Sequence, residues 1–172
     1  MLHSINRRQF LRGDLGAKRT PIRPPWALPE AAFIANCTRC GDCVPACPEH
    51  VIAIGSGAYP QLDFSHDGCS FCADCVGVCT TGALRRSTDT QPPWANKAEL
   101  TPGCLTMAGI VCRSCGEHCD AGAIHFQFPR GGVAYPRIDA AACTGCGACI
   151  GVCPAQALTL RVDQLTQECI SA

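Results

Sequence analysis

The chain has 172 residues, room for one medium domain or two small ones, with 14 basic against 14 acidic residues and a net charge of zero. That balance leaves no basic field for nucleic acid, and no apolar run approaches the roughly 18 residues of a transmembrane segment. Cysteine, by contrast, occurs 17 times against 6% aromatics, a composition that belongs to a disulfide scaffold or to a metal protein.

Residues 1–36 precede the first cysteine. Asn6-Arg-Arg-Gln-Phe-Leu-Arg12 looks like a twin-arginine export motif. The segment that follows carries Asp14, Lys18, Arg19, Arg23 and several prolines, so it is no apolar signal helix. A cytoplasmic location is expected. Arg7–Arg12 then reads as a basic amphipathic turn or as a docking tail for a partner. Ile22-Arg-Pro-Pro-Trp26 is extended and stiffened by proline, with Trp26 expected to pack over the module that follows.

Cys37, Cys40, Cys43 and Cys47 are spaced C-x2-C-x2-C-x3-C and followed by Pro48. This is the ligand run of a bacterial-type 4Fe-4S site. Each of a cubane's four irons needs one outside thiolate, and two-residue spacers turn three sulfurs toward one centre. Pro48 steers the chain out of the loop. A helical turn at Pro48–Val51, a strand at Val51–Ile54, a turn at Ser56–Ala58 and a return strand at Gln61–Phe64 are expected next. The second run, Cys69, Cys72, Cys75 and Cys79, keeps the spacing but has Thr80 in place of the proline. A strand over Ala83–Arg86 and a linker over Ser87–Thr90 should close this half.

Gln91-Pro-Pro-Trp-Ala95 then repeats the Pro-Pro-Trp of the first half. The third run is stretched: Cys104 is separated by C-x7-C from Cys112, which is followed by Cys115, Cys119 and Asp120. The bulge Leu105–Val111 reads as an apolar shield over its site or as a tolerated insertion. A strand at Ala123–Phe128, a turn at Arg130–Gly132 and a return strand at Val133–Ile138 lead to the fourth run, Cys143, Cys146, Cys149 and Cys153, with Pro154 behind it. A helical turn at Ala155–Ala157, a last strand at Ala157–Val162 and a short tail complete the chain. Cys169 is the one cysteine outside the runs and reads as a free thiol.

Cys40, Cys43 and Cys47 match Cys112, Cys115 and Cys119 at one constant offset, and Cys69–Cys79 match Cys143–Cys153 at another. The chain is a tandem duplication of a two-quartet unit. The expected fold is α+β: a tandem pair of bacterial 2x4Fe-4S ferredoxin-like modules, with small β-hairpins and short helices around the clusters. The boundaries drawn are 1–30 for an N-terminal tail, 31–90 and 91–162 for the modules, and 163–172 for a C-terminal tail. Modules this small and this poor in large apolar side chains need the clusters as their interior.

The rival chemistries fit less well. Disulfides require an oxidising compartment, and the cysteine count is odd. Zinc sites usually hold two C-x2-C pairs well apart. His50, His66, His118 and His125 lie near the runs, but cysteines already fill every site. In two-cluster ferredoxins the fourth cysteine of each run serves the other cluster. On that pattern Cys37, Cys40, Cys43 and Cys79 hold the first cluster, and Cys69, Cys72, Cys75 and Cys47 the second. Cys104, Cys112, Cys115 and Cys153 hold the third, and Cys143, Cys146, Cys149 and Cys119 the fourth. No nucleophile–base pair, HExxH, P-loop or dinucleotide fingerprint is present, so no catalytic residue is expected.

The four quartets, the Arg-Arg-x-Phe-Leu start, the Ile22–Trp26 segment and the C-x7-C third run together resemble the NapF-type ferredoxins. These are accessory iron–sulfur proteins of periplasmic nitrate reductase systems. The resemblance spans nearly the whole chain. It implies a cytoplasmic, non-catalytic ferredoxin that contacts the nitrate reductase catalytic subunit as its precursor, before export, and assists its maturation by cluster assembly or electron supply. It implies four 4Fe-4S clusters, or three if the stretched run holds none. The competing readings are an electron-transfer subunit of a larger oxidoreductase and a cluster-stabilised binding chaperone.

Overall fold

The computed structural model describes residues 21–88, 90–129 and 132–161. The twin-arginine-like stretch, the turn residues Arg130 and Gly131, and the tail with Cys169 lie outside them.

One device recurs behind all four runs. Three places after the fourth cysteine, a backbone N–H donates to that cysteine's carbonyl: His50 to Cys47, Gly82 to Cys79, Gly122 to Cys119 and Gln156 to Cys153, at 2.8–3.3 Å. The donor residue has positive φ in every copy. Glycine takes that conformation freely at two of them, while His50 and Gln156 hold it against their Cβ. The turn drops the next two residues inward. Val51 and Ile52, Ala83 and Leu84, Ala123 and Ile124, and Ala157 and Leu158 are all buried. Pro48–Val51 and Ala155–Ala157 are therefore tight turns and not the helical turns expected there. The short helices lie inside the runs instead, where one helical turn separates the third cysteine from the fourth.

In the first unit a helix, α1 (Glu30–Asn36), opens the fold; nothing in the cysteine pattern had signalled it. Pro29 starts it, Glu30 sits in its first turn, and Phe33 points fully inward. The strands β1 (Ile52–Ile54) and β2 (Pro60–Leu62) form an antiparallel hairpin with Ile52 opposite Leu62. A helical turn, α2 (Asp74–Gly77), carries the second run. Ala83–Arg86 is no full strand. It makes a single bridge, Leu84 to Ala27, flanked by bonds from Leu28 N–H to the Ala83 carbonyl and from Arg85 N–H to the Trp26 carbonyl. The Ile22–Leu28 segment is thus strapped across the first unit, with Pro24, Pro25 and Trp26 buried. Arg23 locks the strap: its guanidinium forks onto the Glu30 carboxylate at 2.7 and 2.9 Å, donates to the Pro60 carbonyl and lies over the Phe33 ring.

The second unit repeats the plan with different proportions. A strand absent from the sequence reading, β3 (Lys97–Leu100), follows the second Pro-Pro-Trp. It pairs antiparallel with the last strand, β6 (Leu158–Arg161), in the register Leu100 to Leu158. This pair is the full version of the Ala27–Leu84 bridge. Its hairpin is β4 (Ile124–Gln127) with β5 (Tyr135–Ile138). Helical turns α3 (Ser114–Glu117) and α4 (Ala148–Gly151) carry the third and fourth runs. Among the described residues no helix is long and apolar enough to cross a membrane.

Candidate metal-cluster sites

The thiols gather in four groups, and each group mixes two runs. Cys47 lines one cavity together with Cys69, Cys72 and Cys75, walled by Val51, Leu62 and Phe71. Cys153 lines a second with Cys104, Cys112 and Cys115, walled by Leu100, Leu105 and Pro136. In the first unit the Cys43 thiol faces Cys37, Cys40 and Cys79 closely enough for their charges to oppose its own ionisation. In the second unit Cys149 faces Cys146 and Cys143 of its own run and Cys115 and Cys119 of the third in the same way. A helical turn inside the second, third and fourth runs, and a hydrogen-bonded turn inside the first, separates the fourth cysteine from the third. The histidines stay outside: His50, His66, His118 and His125 are exposed, and the His118 ring meets the Ser114 carbonyl.

Burial, and after it the crowding of like groups, shapes the ionisation of these thiols. It pushes Cys43, Cys69 and Cys115 up to about 11, and Cys75 and Cys149 up to about 12. Without metal these five thiols therefore keep their protons at neutral pH, and a strongly bound cation core is needed to release them. Backbone donors are already aimed at the sulfurs. The N–H groups of Phe71, Leu84, Ala123 and Ala157 point at the sulfurs of Cys69, Cys79, Cys119 and Cys153, at 3.3–3.4 Å. Such bonds stabilise thiolate and tune the potential of a cluster held by it.

The loop around the sulfurs is strained where it must curl. The second and fourth residues after the first cysteine have positive φ in three runs: Arg39 and Gly41, Phe71 and Ala73, Gly145 and Gly147. Curling a chain around a cube needs these two left-handed steps, and three of the six fall on residues other than glycine. The stretched third run solves the same problem differently. Leu105–Ala108 winds into a 3-10 turn that ends on Gly109, at φ 77, and this returns the chain to Cys112 with Cys104 still in its group. The bulge does not act as the apolar shield envisaged from its sequence. Leu105 reaches the cavity wall, but Met107, Ile110 and Val111 are 60%, 53% and 76% exposed.

Among the described residues no three Cys, His, Asp or Glu side chains converge tightly enough to hold a single metal ion. Thiolates of a cubane each serve a different iron and need no common point. All-sulfur donor sets, apolar walls and N–H groups directed at sulfur fit a 4Fe-4S cluster.

Sequence reasoning missed the residues that hold the two units together. Trp94 donates its indole N–H to the Thr144 carbonyl and packs edge-on against Phe71. Phe64 covers Gly147, where an added Cβ would strike its ring. The repeated Pro-Pro-Trp marked Trp94, but no local pattern tells where its ring goes.

Comparison with known proteins agrees with this chemistry. A family model described as a 4Fe-4S dicluster domain matches residues 36–83 and 110–157. The chain is 37% identical over 178 residues to the ferredoxin-type protein NapF of Haemophilus influenzae, covering 93% of this chain and 96% of that one. It is 34% identical over 154 residues to the ferredoxin-type protein NapF of Escherichia coli K12, covering 90% and 93%. It is also 34% identical over 157 residues to the methylamine utilization ferredoxin-type protein MauM of Methylophilus methylotrophus, covering 82% and 70%. No solved structure matches.

Proposed function

The chain belongs to the NapF-type ferredoxins of the 4Fe-4S dicluster family, and from that premise we propose that it is a cytoplasmic accessory protein of a periplasmic nitrate reductase system. It contacts the catalytic subunit as a precursor, before export, and assists its maturation. It carries out no catalytic reaction of its own. The observation that carries this reading is the gathering of thiols from paired runs, with apolar residues lining the Cys47–Cys69–Cys72–Cys75 and Cys104–Cys112–Cys115–Cys153 groups.

Sixteen cysteines would hold four clusters. Cys37, Cys40, Cys43 and Cys79 take the first, and Cys69, Cys72, Cys75 and Cys47 the second. Cys104, Cys112, Cys115 and Cys153 take the third, and Cys143, Cys146, Cys149 and Cys119 the fourth. When bound, each cluster supplies one-electron chemistry at a potential set by its surroundings. The chain's own part is to hold the sulfurs, aim N–H donors at them and exclude water.

Iron and acid-labile sulfide in anaerobically purified protein should reach about sixteen of each per chain; about twelve would mean three clusters. Cys79→Ala should remove the cluster of the first run, and Cys47→Ala that of the second, as read by iron content and spectroscopy. Loss of only the cluster of the mutated cysteine's own run would overturn the assignment. Tagged protein should co-isolate the unexported precursor of the catalytic subunit. Failure to enrich that precursor would sink the maturation role.

A second reading, an electron-transfer subunit of a larger oxidoreductase, draws on the likeness to methylamine utilization proteins. A stable stoichiometric complex with a reductase would favour it. Ligand variants that fold but lose function separate a redox role from pure chaperoning.

A further inference from the structure

The two units do not merely follow one another along the chain; they meet through their second and fourth runs. The Cys69 N–H donates to the Cys146 carbonyl at 2.8 Å. On one side of this bond Phe64 lies over Gly147, and Gly68 abuts Ala148 so closely that a Cβ there would stand 2.7 Å from it. On the other side Trp94 is clamped between Phe71 and the Thr144 carbonyl. Ile150 packs against the buried clusters of both units. The seam is a built contact, bonded and close-packed at the point where two ligand loops touch.

Its location sets an order. Within the first unit Cys75 of the second quartet shares a buried cluster with Cys43 of the first. Within the second unit Cys149 of the fourth quartet shares one with Cys115 of the third. Between the units the Cys69 backbone is hydrogen-bonded to that of Cys146. We propose that the Phe64–Gly147, Cys69–Cys146 and Trp94–Thr144 seam is a positioning device that holds the second and fourth quartets in electronic contact, so that the four quartets form one line in the order first, second, fourth, third. Chain order would instead have joined the second to the third. The inference rests on the cluster reading given above. With clusters bound by these quartets, the line would supply one-electron transfer between neighbours, from a low-potential one-electron donor at one end to a one-electron acceptor at the other, with no bond made or broken. Phe64, Trp94 and Gly147 are positioning residues and touch no iron.

The test is electron paramagnetic resonance of the full chain, anaerobically purified and reduced with dithionite, with iron and sulfide counted on the same sample. Wild-type protein should show spin–spin interaction that two independent cluster pairs do not reproduce. The variant Phe64→Ala/Trp94→Ala should keep its iron and lose the inter-unit component, leaving the signature of two separate pairs. An unchanged interaction in the variant at full iron content would overturn the proposal. So would a wild-type spectrum fully described by two independent pairs, and that measurement decides the matter if the variant fails to fold. A preparation without iron and sulfide would refute the cluster reading itself, a result distinguishable from either.

Discussion

The two units share a ligand frame and differ in what surrounds it. The first buries Phe33, Val51, Ile52, Leu62, Phe64 and Leu84 beneath α1 and the Trp26 strap. The second buries Ile124 and Leu158 beside its thiols, with Leu100, Phe126 and Ile138 only partly covered. Fully burying one large apolar side chain is worth about 1.5–3 kcal/mol. The first unit therefore keeps some means of folding without metal, whereas the second has little beyond its thiols and the β3–β6 pair. A duplicated cluster-binding unit needs its ligands and turns conserved between copies, and its apolar cover only where a neighbour does not provide it. Here the second unit leans on the first through Trp94, Ile150 and Leu160, which pack against the first unit's core.

The strongest way to break this comparison is to remove the iron. Structural metal contributes on the order of 10 kcal/mol to a small domain. After anaerobic chelation, hydrogen exchange should show full loss of protection in β4–β5 and β3–β6, while amides around Phe33 and Trp26 stay partly protected. Uniform loss across both units would discard the distinction.

Alkali sharpens it next. In the metal-free first unit burial pushes Cys43 and Cys69 up to about 11 and Cys75 up to about 12, instead of about 9. The folded state thus binds protons more tightly than the unfolded one. That contribution is fully present below about pH 9 and is lost as pH rises through about 11 to 12. Circular dichroism of the metal-free protein should show its residual structure melting across that window, and iron-loaded protein should be indifferent to it. A metal-free fold that strengthens over the same range would contradict the sign.

Phe33→Ala comes third, with a cost of about 3–5 kcal/mol to the first unit. Chemical denaturation of the loaded protein should then show the two units unfolding closer together, because the better-packed one has been weakened. Arg23→Met is the smallest of the set. It removes a partly buried ion pair with Glu30 and the stacking on Phe33 and Tyr59, and about 1–2 kcal/mol is expected. The loss should fall on the first unit alone, as seen by exchange in α1 and β2.

Much of this molecule is legible from local spacing. The C-x2-C-x2-C rhythm announces the ligand loops because a cube dictates where sulfurs must stand. The hairpin after the first run follows from its apolar alternation and glycine turn, as does the one after the third. The Lys97–Leu100 strand was not legible, because its partner lies at the far end of the unit and its own four residues carry no alternation strong enough to name it. Glu30–Asn36 was missed for a related reason: one inward residue, Phe33, is too little to mark a helix. The bulge in the third run read as a shield or as a tolerated insertion, and the turn ending on Gly109 leaves Met107, Ile110 and Val111 facing outward with only Leu105 at the cavity wall.

The order of cysteines along the chain by itself determined which residues gather, what element they suit and that the unit is doubled, since ligation chemistry acts over a few residues. Only the tertiary structure decided that the second run lies against the fourth, that one Pro-Pro-Trp roofs a module while the other pins two modules together, and that one half carries the apolar cover. Those outcomes depend on side chains such as Phe64 and Gly147 that meet only after folding, and no spacing along the chain encodes a contact made across it.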